Sequence, residues 1–203
     1  MLNPKVSICI PWHNSPNSAF YLSRLLASIH EQTYKNYEIV LTQEGKFAEN
    51  HNAAIKKATG DIIKMVQMDD YFYHDHALQR LVDAFTPEVQ WAISSCMHDD
   101  GKEVGYPHNP EWNDDIYTGN NTLGSVSTLA MRRESALLFE EPMTWTVDCD
   151  LYYRLYLKYG PPKLLNDYTV VIQWRNDSET NTLSDELKKA EVNYLIRKYD
   201  RRN

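Results

Sequence analysis

The run Ile62-Ile63-Lys64-Met65-Val66-Gln67-Met68-Asp69-Asp70 constrains this chain more than any other stretch. It begins after Gly60-Asp61, is apolar for most of its length, and stops in two adjacent carboxylates. A short apolar run bounded by turn signals reads as a strand buried in a parallel sheet. Ligands of open α/β sheets sit in the crevice outside the carboxyl ends of the strands, which is where Asp69 and Asp70 would be delivered. Adjacent carboxylates repel each other, and a hard divalent cation on oxygen ligands would compensate them. A strand-end turn carrying two solvated acids is the other reading.

The preceding residues repeat the pattern. A strand over 6–10 is stopped by Pro11, and Ser18 is placed to cap a helix running to about residue 30, with Leu22, Leu25, Leu26 and Ile29 on one face. A second strand over 37–41 leads into Thr42-Gln43-Glu44-Gly45-Lys46. A helix over about 47–58 carries Ala48, His51, Ala54, Ile55 and Ala58 at helical intervals, with Gly60 placed to end it. This alternation predicts right-handed crossovers and a parallel sheet. Three strand ends then present His13, Gln43-Glu44 and Gln67-Asp69-Asp70 along one rim. The turn after Ile10 contains no glycine, so it is not a dinucleotide-binding turn, and no earlier glycine makes Gly45-Lys46 a P-loop.

Beyond this point the signals are mixed. His74-Asp75-His76 opens a helix to Phe85, residues 91–97 read as a strand, and His98-Asp99-Asp100-Gly101-Lys102 as a hairpin-type turn. Residues 106–127 are irregular and polar, a wall or lid for an acceptor, in which Trp112 and Tyr117 suit either a sugar ring or packing. Residues 146–155 read as a helix N-terminus with Asp148 and Asp150 in its first turn, as caps or as a general base aimed into a cleft. A late strand over 169–174 and a final helix over 183–199 follow, the helix with Leu187, Val192, Leu195 and Ile196 inward and a basic, solvated end.

Composition decides what such a chain can bind. Its 203 residues, 42% of them hydrophobic, suffice for one core. A net charge of −7 argues against a nucleic-acid surface and opposes any phosphate ligand unless a cation offsets it locally. Cys9, Cys96 and Cys149 lack CxxC spacing, which points to a reducing compartment and to no zinc site. With no signal peptide and no segment of transmembrane length, a cytoplasmic protein is expected.

Ser7-Ile8-Cys9-Ile10-Pro11-Trp12-His13-Asn14, Leu25-Leu26-Ala27-Ser28-Ile29, Gln32-Thr33-Tyr34-Lys35-Asn36-Tyr37-Glu38-Ile39-Val40, Asn52-Ala53-Ala54 before Gly60, the 67–70 segment and the 148–155 segment follow one another in a recognisable order. In that order and spacing the chain resembles the family 2 glycosyltransferases of the GT-A fold. The resemblance implies an α/β fold, with a Rossmann-like, mostly parallel sheet flanked by helices in a single domain over 1–203. Within it, 1–105 would be the nucleotide-sugar-binding half, 106–180 the acceptor and catalytic half, and 181–203 a C-terminal helix. It implies an inverting hexosyltransferase using a nucleoside-diphosphate sugar, a UDP-sugar foremost, and Mn²⁺ or Mg²⁺. The acceptor would be a hydroxyl of a saccharide, a lipid-linked group or a protein.

Carried over residue by residue, Pro11 and His13, with Asn14 beside them, would lie against the nucleoside. Gln43-Glu44 stands where the family has an acidic pair, and Glu44 would accept from a uracil N–H. Gln67-Met68-Asp69 stands for Asp-x-Asp, with Gln67 on a ribose hydroxyl, Asp69 as metal ligand and Asp70 beside it. Asp148 would be the general base and Asp150 its reserve, and Asp177 would be a second metal ligand. Two rivals are a nucleotidyltransferase, which would want a Gly-rich basic loop near the N-terminus, and a catalytically silent nucleotide-sugar-binding module, to which Gln43 and Gln67 lend support.

Overall fold

The computed structural model describes residues 3–175 and 179–200. The expected alternation is present as β1 (Val6–Pro11), α1 (Ser18–Glu31), β2 (Tyr37–Thr42), α2 (Phe47–Lys57) and β3 (Ile62–Met65), with β1 paired in parallel to both β2 and β3. The chain continues through β4 (Tyr71–Phe72), α3 (Ala77–Asp83), β5 (Trp91–Asp99), β6 (Val104–His108) and β7 (Leu129–Arg132). It closes with α4 (Val147–Tyr159), β8 (Lys163–Gln173), α5 (Glu179–Thr182) and α6 (Asp185–Asp200). One eight-stranded sheet runs β2-β1-β3-β7-β5-β8-β4, with β6 paired to β5. β5 and β8 share the direction of β1, β2 and β3, so five of the eight strands point one way and β4, β6 and β7 oppose them. Five carboxyl ends therefore open on one rim. Residues 106–180 place β7 between β3 and β5, and β8 beside β5, so the two expected halves share a single sheet.

Side chains alternate across the strands, as a pleated backbone requires. Val6, Ile8 and Ile10 join Leu25 and Ile29 of α1 and Leu78 and Leu81 of α3 in one core, while Cys9 joins Ala54 and Ile55 of α2 and Leu151 and Leu155 of α4 in the other. No helix among the described residues is long and apolar enough to cross a membrane.

Several local expectations are corrected. Asn17, at φ 66°, is the cap of α1, and Ser18 is the helix's first residue. Leu26 and Leu187 are exposed rather than inward. Gly60 does not end α2, which closes at Ala58; a Cβ at Gly60 would lie 2.6 Å from the Lys5 carbonyl oxygen, so the close passage of β1 demands the glycine. β3 ends at Met65, and Gln67 to Asp70 form a tight turn in which the Asp70 N–H donates to the Gln67 carbonyl at 3.1 Å. Trp112 stacks on Tyr156 at 4.3 Å and Tyr117 packs on Tyr153 at 4.8 Å, so both are packing residues.

Candidate functional site

The rim opens on a cleft of about 1020 Å³. Its first wall is built from the loops after β1 and β2. Asn50 of α2 ties the two together: its Nδ2 donates to the Trp12 carbonyl at 2.8 Å and its Oδ1 accepts from the Glu44 N–H at 3.0 Å. Gly45 sits at φ 54°, and a Cβ there would collide with the Glu49 carboxylate that accepts from the Lys46 N–H. Pro11 and His13 line this wall with Lys46, Phe47 and His51. His51 stacks on Phe47 at 3.9 Å, and its Nδ1 lies 2.7 Å from the Phe47 carbonyl. A carbonyl only accepts, so Nδ1 carries the proton and Nε2 is a bare acceptor. Burial pushes the His51 pKa down to about 4, and Nε2 has no hydrogen-bond partner among the described residues.

The floor is the turn after β3. The Gln67 N–H donates to Ser127 Oγ at 2.8 Å, and Gln67 Oε1 accepts from Ser125 Oγ at 3.1 Å. Beneath it, fully buried Lys64 donates from Nζ to the Ser127 carbonyl. Asp69 is pinned through its carbonyl, which accepts from Arg24 at 2.6 Å, and its Oδ2 lies 3.5 Å from Arg175 Nη2. Asp70 is buried behind it; Oδ1 accepts from the Gln173 N–H at 2.9 Å and Oδ2 has no hydrogen-bond partner among the described residues. Burial, and then the Asp69 charge, push the Asp70 carboxyl well above the usual carboxylate range. Among the described residues no group of three His, Cys, Asp or Glu forms a metal cage. The Asp69–Asp70 pair does suit the other mode, in which one or two carboxylates hold a divalent ion whose remaining ligands are substrate phosphates and water. A cation there would offset the repulsion and the unpartnered Asp70 oxygen together.

Asp148 lines the same cleft from the first turn of α4. Its Oδ2 accepts from Asn121 Nδ2 at 2.8 Å and its Oδ1 from the Cys149 N–H at 2.8 Å. Burial pushes its pKa up to about 6, against the pull of those donors. The helix end that carries it is fixed by a residue the sequence reading missed. Glu191 of α6 accepts from the N–H groups of Thr144 and Trp145 at 2.8 Å and of Thr146 at 2.9 Å. Such an anion at a helix N-terminus matches both the free N–H groups and the helix dipole.

The structure thus gathers Pro11, His13, Gln67, Met68, Asp69, Asp70 and Asp148 in one cleft, and leaves out Asn14, Gln43, Glu44 and Asp150. Glu44 turns to Lys57 at 2.6 Å, and His51 is the acceptor on that wall instead. Asp150 is 0% exposed and accepts from Arg154, Lys198 and Tyr199, each at 2.6 Å, so it holds α6 to α4 and is no reserve base. Lys198 is therefore not part of a solvated basic face. Asp177 lies outside the described residues.

No family model matches the chain, and no curated protein matches it in sequence. Solved structures do. The 1–349 fragment of S. aureus TarS matches with a TM-score of 0.66 at 17% identity, over 98% of this chain and 73% of that one. The same fragment in complex with UDP-GlcNAc matches at 0.72 and 18%, over 95% and 65%. The mannosyltransferase PcManGT from Pyrobaculum calidifontis, in complex with GDP-Man and Mn²⁺, matches at 0.59 and 15%, over 87% and 58%. At these identities the likeness is one of fold: the chain has the α/β fold of these proteins and spans 58% to 73% of their lengths.

Proposed function

We propose that the chain is an inverting family 2 glycosyltransferase that moves a sugar from a UDP-sugar to an acceptor hydroxyl. The observation that carries this is that Asp148 and the Asp69–Asp70 turn line one cleft. The nucleoside end of the donor lies along Pro11, His13 and the α2 wall. Asp69, backed by Asp70, would hold Mn²⁺ or Mg²⁺, which when bound would supply charge neutralisation at the departing diphosphate. Asp148 takes the proton of the acceptor hydroxyl as its oxygen bonds to the anomeric carbon. The bond from that carbon to the diphosphate oxygen breaks on the opposite face, so the configuration inverts. The pKa of about 6 leaves Asp148 ionised at neutral pH, yet closer to the working pH than an ordinary aspartate, as suits a base.

The test is release of nucleoside diphosphate from UDP-GlcNAc, UDP-Glc and GDP-Man with Mn²⁺, with and without acceptors. Release that EDTA removes is expected. Asp148→Asn should lower turnover by roughly 10²- to 10⁴-fold while UDP with Mn²⁺ still raises the melting temperature. Asp69→Ala should lose that thermal shift. No release from any nucleotide sugar would leave a silent binding module.

A further inference from the structure

The cleft carries a further feature that the donor and the base leave unused. Tyr106 and Trp174 line it, are 58% and 56% exposed, and meet edge to face with ring centroids 6.3 Å apart. Large aromatic surface left open in a concave site is uncommon without a ligand.

The backbone is built to present these rings. β5 and β6 pair His98 with Gly105 but Cys96 with His108, so β6 holds one extra residue at Tyr106-Pro107. Such a bulge re-aims a side chain and recurs beside active sites. Tyr106 itself sits at φ 38°, a left-handed conformation that is strained for a bulky residue. His98 fixes it further, with Nδ1 3.0 Å from the Tyr106 carbonyl. Trp174 is held through its N–H, which donates to the Asp99 carbonyl at 2.8 Å. Tyr106 stands on β6 and Trp174 directly after β8, separated along the sheet from β1 and β2 by β3, β7 and β5.

We propose that Tyr106 and Trp174 are the acceptor subsite and that the acceptor is a saccharide, one of whose pyranose rings lies against this aromatic corner. A sugar ring offers an apolar C–H face to the rings and hydroxyls to polar groups that line the same cleft, here His98 and His108. An acyl chain would want unbroken apolar lining, which these histidines interrupt. The role as acceptor site rests on the transfer proposed above; the ligand class rests on this wall alone.

The test is calorimetric titration of the whole chain, with UDP and Mn²⁺ present, by cellotetraose, chitotetraose and mannotetraose, and by ribitol and phosphatidylglycerol vesicles as the alternatives. At least one tetrasaccharide should bind saturably. Trp174→Ala and Tyr106→Gly should each weaken that binding by at least about tenfold, as loss of one stacking ring does. Glycine suits the left-handed backbone at position 106, so that variant should keep or raise the melting temperature, where loss of a merely structural tyrosine would lower it. Both variants should keep the thermal shift given by UDP with Mn²⁺. Binding of no tetrasaccharide, binding untouched by either variant, or binding of ribitol or vesicles alone would overturn the proposal. Release of nucleoside diphosphate from the nucleotide sugars, with and without these saccharides, is scored separately: its absence in every case, with tetrasaccharide binding intact, would remove the transfer and leave the saccharide site standing.

Discussion

Asp148 and Asp150 are two positions apart, yet one faces the cleft and the other is sealed beneath α6. Residues i and i+2 point to different sides of a helix, so only one of the pair can reach a substrate. Sequence could name both acids but not choose, because the choice depends on which side of α4 receives Lys198 and Tyr199 from α6. The Asp148 environment has a pH consequence. Burial holds its pKa at about 6 in the fold, above an unfolded aspartate. Turnover should fall on the acid side with a midpoint near pH 6, read from the kcat/KM profile. Asn121 donates to the ionised carboxylate and so lowers this pKa; Asn121→Ala should shift the acid limb to higher pH. Stability follows the opposite sign from an ion-paired acid. A carboxylate whose folded pKa is raised costs stability as pH rises from the unfolded value through about 6, and that cost is complete above it. Asp148→Asn should therefore melt higher than the parent at pH 7.5 while turning over far more slowly, and the two should converge below pH 4.

At the scale of elements, the active geometry depends on α6 holding the start of α4. Glu191 satisfies three main-chain N–H groups there and the Thr146 hydroxyl at 3.1 Å. Removing a buried charged acceptor leaves those donors unpaired. Glu191→Ala should cost about 3 kcal/mol, read as a lower denaturation midpoint at unchanged slope, with Glu191→Gln recovering part of it. Because Asp148 rides on the same turn, Glu191→Ala should also lower kcat more than it raises donor KM. The sequence showed both helices by their 3.6 period, but Glu191 is an acid in a polar stretch and nothing local marks it as a cap for a helix 45 residues upstream. The same division runs through the sheet. β1, α1, β2, α2 and β3 were legible because each carries its own periodic pattern bounded by turn signals. The insertion of β7 between β3 and β5, and the bulge in β6 that turns out Tyr106, are non-local pairings with no periodic signature. Trp112 and Tyr117 were candidates for a sugar platform on composition alone; the packing buries their faces on Tyr156 and Tyr153 and leaves Tyr106 and Trp174 exposed instead.

For the molecule as a whole, the governing quantity is charge. A chain of net charge −7 that takes a diphosphate must overcome its own field. Two remedies are possible, and they respond differently to salt. Screening by mobile ions acts on the general field: the Debye length falls from about 14 Å near 0.05 M salt to about 4 Å near 0.5 M. A cation seated at Asp69 and Asp70 acts within a few ångströms and is screened far less. If the general field were the main obstacle, salt alone would restore UDP binding in EDTA. If local loading of the acidic turn is what matters, UDP in EDTA should bind poorly at both ionic strengths, improving only slightly at the higher one. With Mn²⁺ present, affinity should be at least tenfold better and should drop modestly with salt, since the contact is now attractive. Asp69→Asn should reduce the Mn²⁺ gain while leaving the weak salt response in EDTA in place. The measurement is a titration of UDP against the chain at two salt concentrations, with and without Mn²⁺. Equal binding in EDTA at 0.5 M salt and in Mn²⁺ at 0.05 M would show that Asp69 and Asp70 need no resident ion to admit the donor.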